Sequence, residues 1–282
     1  MLRDRTAIPA FSASTVKLLH ATQDPDTSMD ELEEIISMDP GLGTQCIRAV
    51  NTVEFGGRRI TSVGEALQML GLRRIGQLAV TAGVMDRFSH LRVEVDWNRF
   101  WLHNLLVARI CHTIAGAFRS TNGSEYLAGL LHDSGKLVLQ HFFPREFEDV
   151  VVQAGEREQP HHVVEQAMLG VSHAHIGSAM AMVLGIDECV IQAVRFHHEP
   201  LCEASINAAQ SGDGFLATCV AVANAVAKQM DGAFASNEDI PPLHELPEWG
   251  YLGEFERCGD LRLDPVSEHE KAVLDLESML GG

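Results

Sequence analysis

Ala128-Gly129-Leu130-Leu131-His132-Asp133-Ser134-Gly135-Lys136-Leu137-Val138-Leu139 is an apolar run interrupted by a His-Asp pair, with a glycine and a lysine just behind it. Two polar side chains carried into or next to a core must each find a partner there, or a metal ion. Two readings are open for the pair taken alone. It is either a hydrogen-bonded pair in a helix turn or part of a ligand set.

The chain has fourteen histidines, and four besides His132 sit at the edges of apolar helical segments. They are His103 in Phe100-Trp101-Leu102-His103-Asn104, His173 in Gly170-Val171-Ser172-His173-Ala174-His175, and the pair in Phe196-His197-His198-Glu199-Pro200. The segment Trp101 to Phe118 is apolar on more than one side through Leu105, Leu106, Ala108 and Ile110, as a central helix is. The stretch from His103 to His132 then suits one helix, a loop at Ser120-Thr121-Asn122-Gly123, and a second helix running antiparallel to the first. Such a hairpin can set His103 opposite His132 and Asp133. Two imidazoles and a carboxylate make a first metal shell, and iron, manganese, zinc and nickel all suit it. His173 on another helix, with His197 and His198 at the carboxyl end of a helix from Asp187 to Phe196, can complete a second position.

Upstream, the first 90 residues read as short helices. Ser12 to Thr22 stops at Asp24-Pro25, where the residue before proline leaves helical geometry. Ser28-x-x-Glu31 is a capping box opening a helix that ends at Asp39-Pro40, and a third helix runs from about Leu42 to Thr52. The Gly56-Gly57 pair turns the chain. A second capping box, Ser62-x-x-Glu65, starts a helix broken at Gly71, after which Arg73 to Phe88 resumes at helical spacing. Asn51 reads as a cap or turn-closing residue. Arg92 to Trp97 is the junction to a second subdomain.

Downstream, Phe215 to Met230 is helical. From Glu238 to Gly282 the chain carries twelve acidic residues against three basic ones, broken by four prolines. The first reading of this stretch is a solvated acidic appendage. The alternative packs Trp249, Tyr251, Leu252 and Phe255 on the body and forms a closing helix from Glu268 to Leu280. The expected organisation is residues 6–92, 93–230 and an acidic, partly helical tail at 231–282.

Composition narrows the function. A formal charge of -18 argues against nucleic acid or an anionic membrane as principal partner. Arg58-Arg59 and Arg73-Arg74 read as a solvated helix face. Six cysteines without a Cys-x-x-Cys pair suggest neither a zinc ribbon nor a disulfide framework. No apolar run approaches the roughly 18 to 20 residues a bilayer requires, and no signal peptide is apparent, so a reduced, cytoplasmic protein is expected.

The order His, His-Asp with a following Lys, His, His-His-Glu resembles the HD superfamily of metal-dependent phosphohydrolases. More closely, the chain resembles the HDOD family of bacterial signalling proteins, over about residues 8 to 228. That likeness includes Ile8-Pro9-Ala10-Phe11-Ser12, Ile35-Ile36-Ser37-Met38-Asp39-Pro40-Gly41-Leu42, Ala49-Val50-Asn51-Thr52, Ile60-Thr61-Ser62-Val63, Leu70-Gly71-Leu72 and His-His-Glu-Pro. The resemblance implies an all-α, HD-domain-like helical bundle with an amino-terminal helical subdomain. It implies one or two divalent metals: His103, His132, Asp133 and a late Asp for the first, with Asp133 bridging to a second served by His173, His197 and His198. Lys136 matches a lysine that contacts substrate phosphate.

Two departures from the pattern matter. The late Asp is Asn224, a neutral amide and a far weaker ligand. His-His-Glu-Pro continues into Leu201-Cys202-Glu203, with no Gly-Tyr-Pro, which removes the main support for cyclic di-GMP hydrolysis. The first reading is therefore a non-hydrolytic regulatory module binding a protein partner, such as a sensory or kinase component, or a small ligand. The alternative is a metal-dependent phosphohydrolase acting on a nucleotide or cyclic dinucleotide, which the intact His103, His132, Asp133, Lys136, His173, His197 and His198 support.

Overall fold

The computed structural model describes residues 12–24, 26–51, 60–89, 91, 96–208, 214–231, 241–255, 261 and 263–280. The Ile8-Pro9-Ala10-Phe11 stretch, Thr52, Gly56-Gly57, Arg58-Arg59, Arg92 to Val95 and Cys258 lie outside them. Every regular element among the described residues is helical. None of these helices is long and apolar enough to cross a membrane. The chain divides into two compact units, one of residues 9–90 with 269–282 and the other of residues 1–8 with 91–268.

In the first of these units, α1 (Ala13–Gln23), α2 (Met29–Ser37) and α3 (Pro40–Val50) pack on the long α4 (Val63–Phe88). Side chains set the starts of all four. Ser12, Ser28 and Ser62 each accept from the backbone N–H three residues on, at 3.1 Å. Each such cap is worth about 1 kcal/mol. Asp39 accepts from Gly41 and Leu42, so α3 starts at Pro40 rather than at Leu42. Proline there fills the first helical position, whose N–H needs no partner. Glu65 closes its box one residue early, on the Thr61 N–H at 3.0 Å. Gly71 breaks α4 as expected, with φ 78° and ψ 163°. Asn51 closes a turn as expected: its amide donates to the Ile60 carbonyl at 2.7 Å and its carbonyl accepts from the Ile60 N–H at 2.7 Å.

The other unit is built around α5 (Trp97–Phe118), which starts four residues earlier than expected because Asp96 caps it at the Arg99 N–H. Against α5 lie α6 (Ser124–Leu131) and α13 (Phe215–Asp231). The approach of α6 is close. A Cβ at Gly129 would fall 2.6 Å from the Ala108 Cα. Then α7 (Ser134–Phe142) packs on α8 (Pro144–Arg157) and on α10 (His173–Val183), and α8 pairs with α9 (His161–Leu169) around Val150, Ala154 and Val164. Helix α11 (Glu188–Phe196) meets α6, α10 and α13, and is followed by α12 (Glu203–Ala208).

The described part of the acidic carboxyl-terminal stretch is packed, and there the solvated-appendage reading gives way. After a 3-10 turn at Leu243–Glu245, α14 (Pro247–Leu252) lies on α13 with Leu252 fully buried, and Phe255 meets the Phe215 ring at 5.2 Å. The last helix, α15 (Pro265–Leu280), buries Ala272 and Leu276. Its Asp275 accepts from Arg74 at 2.5 Å, so Arg74 belongs to a part-buried ion pair rather than a solvated face. High acidic content misleads here because the carboxylates lie beside apolar positions at helical spacing.

Candidate metal centre

The His-Asp pair stands at a corner. His132 ends α6, and Asp133 holds the N-cap position of α7 without capping it. Its carboxylate makes no bond to the α7 backbone N–H groups. Oδ2 accepts from Lys136 Nζ at 2.6 Å, and Oδ1 lies 3.1 Å from His173 Nε2. Both Asp133 and Lys136 are buried. The glycine between them matters for space. A Cβ at Gly135 would sit 2.0 Å from the His173 carbonyl oxygen, so only glycine lets α7 come this near the first turn of α10.

Three imidazoles around Asp133 are anchored through Nδ1. His132 and His197, each at the carboxyl end of its helix, donate to the carbonyls of Gly129 at 2.8 Å and Val194 at 2.7 Å. His173 has Glu165 Oε2 at 2.6 Å from Nδ1, and that oxygen also accepts the His173 backbone N–H at 2.6 Å. Glu165 therefore caps α10 and orients its first ring at once. Such anchoring fixes the tautomer and presents Nε2 to a ligand position. His103 joins from α5, its ring centroid 5.4 Å from that of His132, and His198 Nε2 lies 2.9 Å from His173 Nε2.

Two groups of donors result, and they share Asp133. One is His103, His132 and Asp133; the other is Asp133, His173, His197 and His198. Within each, one donor atom per residue lies within 4.8 Å of the others. Ligands about 2.1 Å from one ion are at most about 4.2 Å apart, so a modest inward movement completes either group. The donors fit a metal on a second count. His132 Nε2 and His197 Nε2 are buried without a hydrogen-bond partner, an expensive state unless something binds them.

Electrostatics agree with donor roles for His103, His132, His197 and His198. Burial first, then the neighbouring His132, pushes His103 down to about 3, and burial pushes His132 down to about 4. Burial and adjacent imidazoles hold His197 and His198 well below the usual histidine range. These rings are neutral at pH 7, the state that ligates. Burial would raise Asp133, but Lys136 and His132 outweigh it and hold the carboxyl well below its ordinary value. Burial would likewise lower His173, yet Glu165 turns the balance and raises it.

The structure thus brings together His103, His132, Asp133, His173, His197 and His198, with Lys136 on Asp133. Asn224 is buried on α13, which packs on α5, and its side-chain oxygen has no hydrogen-bond partner. Residues absent from the sequence-based set also stand here. Glu165 is fully buried beside His173, and His162 stacks on His198 with centroids 3.8 Å apart and planes 14° from parallel. A carboxylate following Val163-Val164 on an apolar helix face was the signal for Glu165. The His161-His162 pair opening the same helix was the signal for the stack.

Residues 8–200 match the HDOD domain. An uncharacterised protein of Treponema pallidum (strain Nichols) is 28% identical over 195 residues, covering 68% of this chain and 37% of that protein. The chain thus spans little more than a third of that relative's length. Among solved structures, an HDOD domain protein of unknown function from Geobacter sulfurreducens aligns with a TM-score of 0.78 at 24% identity, covering 96% of this chain and 91% of that one. A candidate phosphohydrolase from Shewanella amazonensis SB2B gives 0.71 at 20% identity, covering 96% and 94%. A candidate signal transduction protein from Marinobacter aquaeolei VT8 gives 0.72 at 22% identity, covering 96% and 58%. At these identities the three structures establish the shared fold.

Proposed function

This chain belongs to the HDOD domain family, and we propose that it is a cytoplasmic signal-transduction module whose His-Asp cluster holds one or two divalent ions without hydrolysing phosphoesters. The observation that supports this reading is the pair of donor groups that share Asp133, taken with an amide, the buried Asn224, at the sequence position where the HD resemblance expects a further carboxylate. Iron, manganese, zinc and nickel all suit imidazole and carboxylate donors. Bound there, such an ion supplies folding free energy, because the unfolded chain has no preformed site. The output passes to a protein partner, for which a sensory or kinase component is the proposed class.

A metal-dependent phosphohydrolase is the second reading, favoured by the completeness of the histidine set. Paired ions would activate water for attack on phosphorus. In that reading His103, His132, Asp133, His173, His197 and His198 would hold the ions, and Lys136, once released from Asp133, would contact phosphate.

One experiment separates them. Metal content is measured by plasma mass spectrometry on protein purified without an affinity metal, beside Asp133→Ala, and both are assayed on bis-p-nitrophenyl phosphate together with Asn224→Asp. Metal in the parent, lost in Asp133→Ala, with hydrolysis absent from the parent, is the expected result. Metal-dependent turnover by the parent overturns the non-hydrolytic reading. Equal metal in parent and Asp133→Ala overturns both.

A further inference from the structure

The rings of the second donor group are not all held in the same way. His173 and His197 are each fixed by a bond from Nδ1, to Glu165 and to the Val194 carbonyl. His198 has no such anchor among the described residues; its hydrogen bond is the one that joins its Nε2 to His173 Nε2. What constrains its ring is contact between faces. His162 lies nearly parallel to it at 3.8 Å, and His197 borders it at 4.0 Å and 42°. Both His162 and Glu165 come from the amino-terminal half of α9.

Stacked planes rule out one role for His162. An imidazole donates its lone pair in the ring plane, so two parallel rings one above the other do not aim at a common ion. Face-to-face contact does restrict rotation of the terminal torsion, which for histidine is otherwise broad.

Resting on the metal reading above, we infer that His162 is a positioning residue for the second metal position. It holds His198 by stacking, in place of the hydrogen-bond anchor that the other rings possess. The first position, built from His103, His132 and Asp133, does not use α9. Loss of His162 therefore weakens one position and spares the other, and the ring, rather than its nitrogens, is what matters.

The test titrates Mn2+ into the chelator-stripped full chain by calorimetry, for the parent, His162→Ala and His162→Phe. In His162→Ala one binding event is expected 10- to 100-fold weaker, the range for losing a group that orients a ligand, with the other event unchanged. His162→Phe keeps the stack and is expected to return the weakened event towards the parent. Unchanged binding in His162→Ala overturns the inference, as does a His162→Phe variant as weak as the alanine one. If the parent binds no Mn2+, the metal reading fails, and ring proton shifts then decide the positioning role in the metal-free chain. His198 ring protons are expected to carry an aromatic ring-current shift in the parent and in His162→Phe, lost in His162→Ala. Equal shifts in all three overturn the inference.

Discussion

His132 and His197 are held by one device used twice. Each closes a helix, each donates Nδ1–H to the carbonyl three residues back, and their rings meet edge to face at 5.1 Å. Both Nε2 atoms are thereby aimed by purely local geometry. The donors are set before anything binds, and the entropy of ordering them is already spent in folding.

Asp133→Ala leaves the Lys136 ammonium buried without its carboxylate. Breaking one side of a buried pair costs about 3 to 5 kcal/mol, whereas replacing both sides with apolar groups is often neutral. In metal-stripped protein, Asp133→Ala is expected to lose about 3 kcal/mol in urea unfolding, and Asp133→Ala with Lys136→Met to recover more than half. Equal losses in the single and double variants contradict this account.

Gly135→Ala places a methyl group against the His173 carbonyl, so α7 and α10 must part. Overpacking of this kind costs about 1 to 3 kcal/mol. A lower melting temperature is expected, with weaker Mn2+ binding because Asp133 and His173 separate. A variant melting with the parent removes the glycine argument.

Acid is expected to destabilise the fold well above the carboxylate range. His103 and His132 are held at about 3 and about 4 in the folded chain, against about 6.5 unfolded. Between those values the unfolded chain takes up protons that the native state refuses, so stability falls as pH drops below about 6.5. At pH 5 each ring withdraws about 2 kcal/mol. His173 acts in the opposite sense: its contribution is complete below about 6.5 and is lost as pH rises through its raised value. The lowered rings outnumber it. Urea midpoints of the metal-free protein should drop between pH 7 and pH 5, and a steady or rising midpoint refutes the sign.

Glu165→Ala uncaps α10 and frees the His173 ring in one step. A charge-assisted bond of this sort is worth about 1.5 to 3 kcal/mol. The His173 pKa, followed by NMR, is expected to fall towards or below the ordinary value. Glu165→Gln keeps an acceptor for the backbone N–H and should restore part of the stability but not the pKa.

Asp275→Ala removes the partner of Arg74 and is expected to cost about 2 kcal/mol by urea unfolding. A loss within about 0.5 kcal/mol, usual for exposed positions, would mean that the Asp275 ion pair adds little to the stability of α15.

Local rules carried much of the fold into view. Ser12, Ser28 and Ser62 cap where expected, Gly71 breaks α4, and Asn51 closes its turn, because each acts within a few residues of itself. Where a proline or aspartate could end one helix or begin the next, as at Asp39-Pro40, the boundary moved. The six donors were legible as polar residues in apolar segments. Glu165 was harder to read, because its place after Val163-Val164 is only a weak local signal and its significance lies in meeting His173. The first reading of the tail failed for a similar reason, while the alternative, a packed stretch with a closing helix, describes it. Its charge balance is plain in composition, but the pairing of Asp275 with Arg74 spans 201 positions.

That long span has a consequence for biosynthesis. The unit of residues 9–90 is completed by residues 269–282, so its last ion pair cannot form until Asp275 leaves the ribosome. At about 5 to 20 residues per second, Arg74 waits roughly 10 to 40 s for its partner. Residues 91–268 are synthesised within that interval and can begin folding first. The amino-terminal helices spend it incomplete, and that is when chaperones or proteases have their best access to the nascent chain.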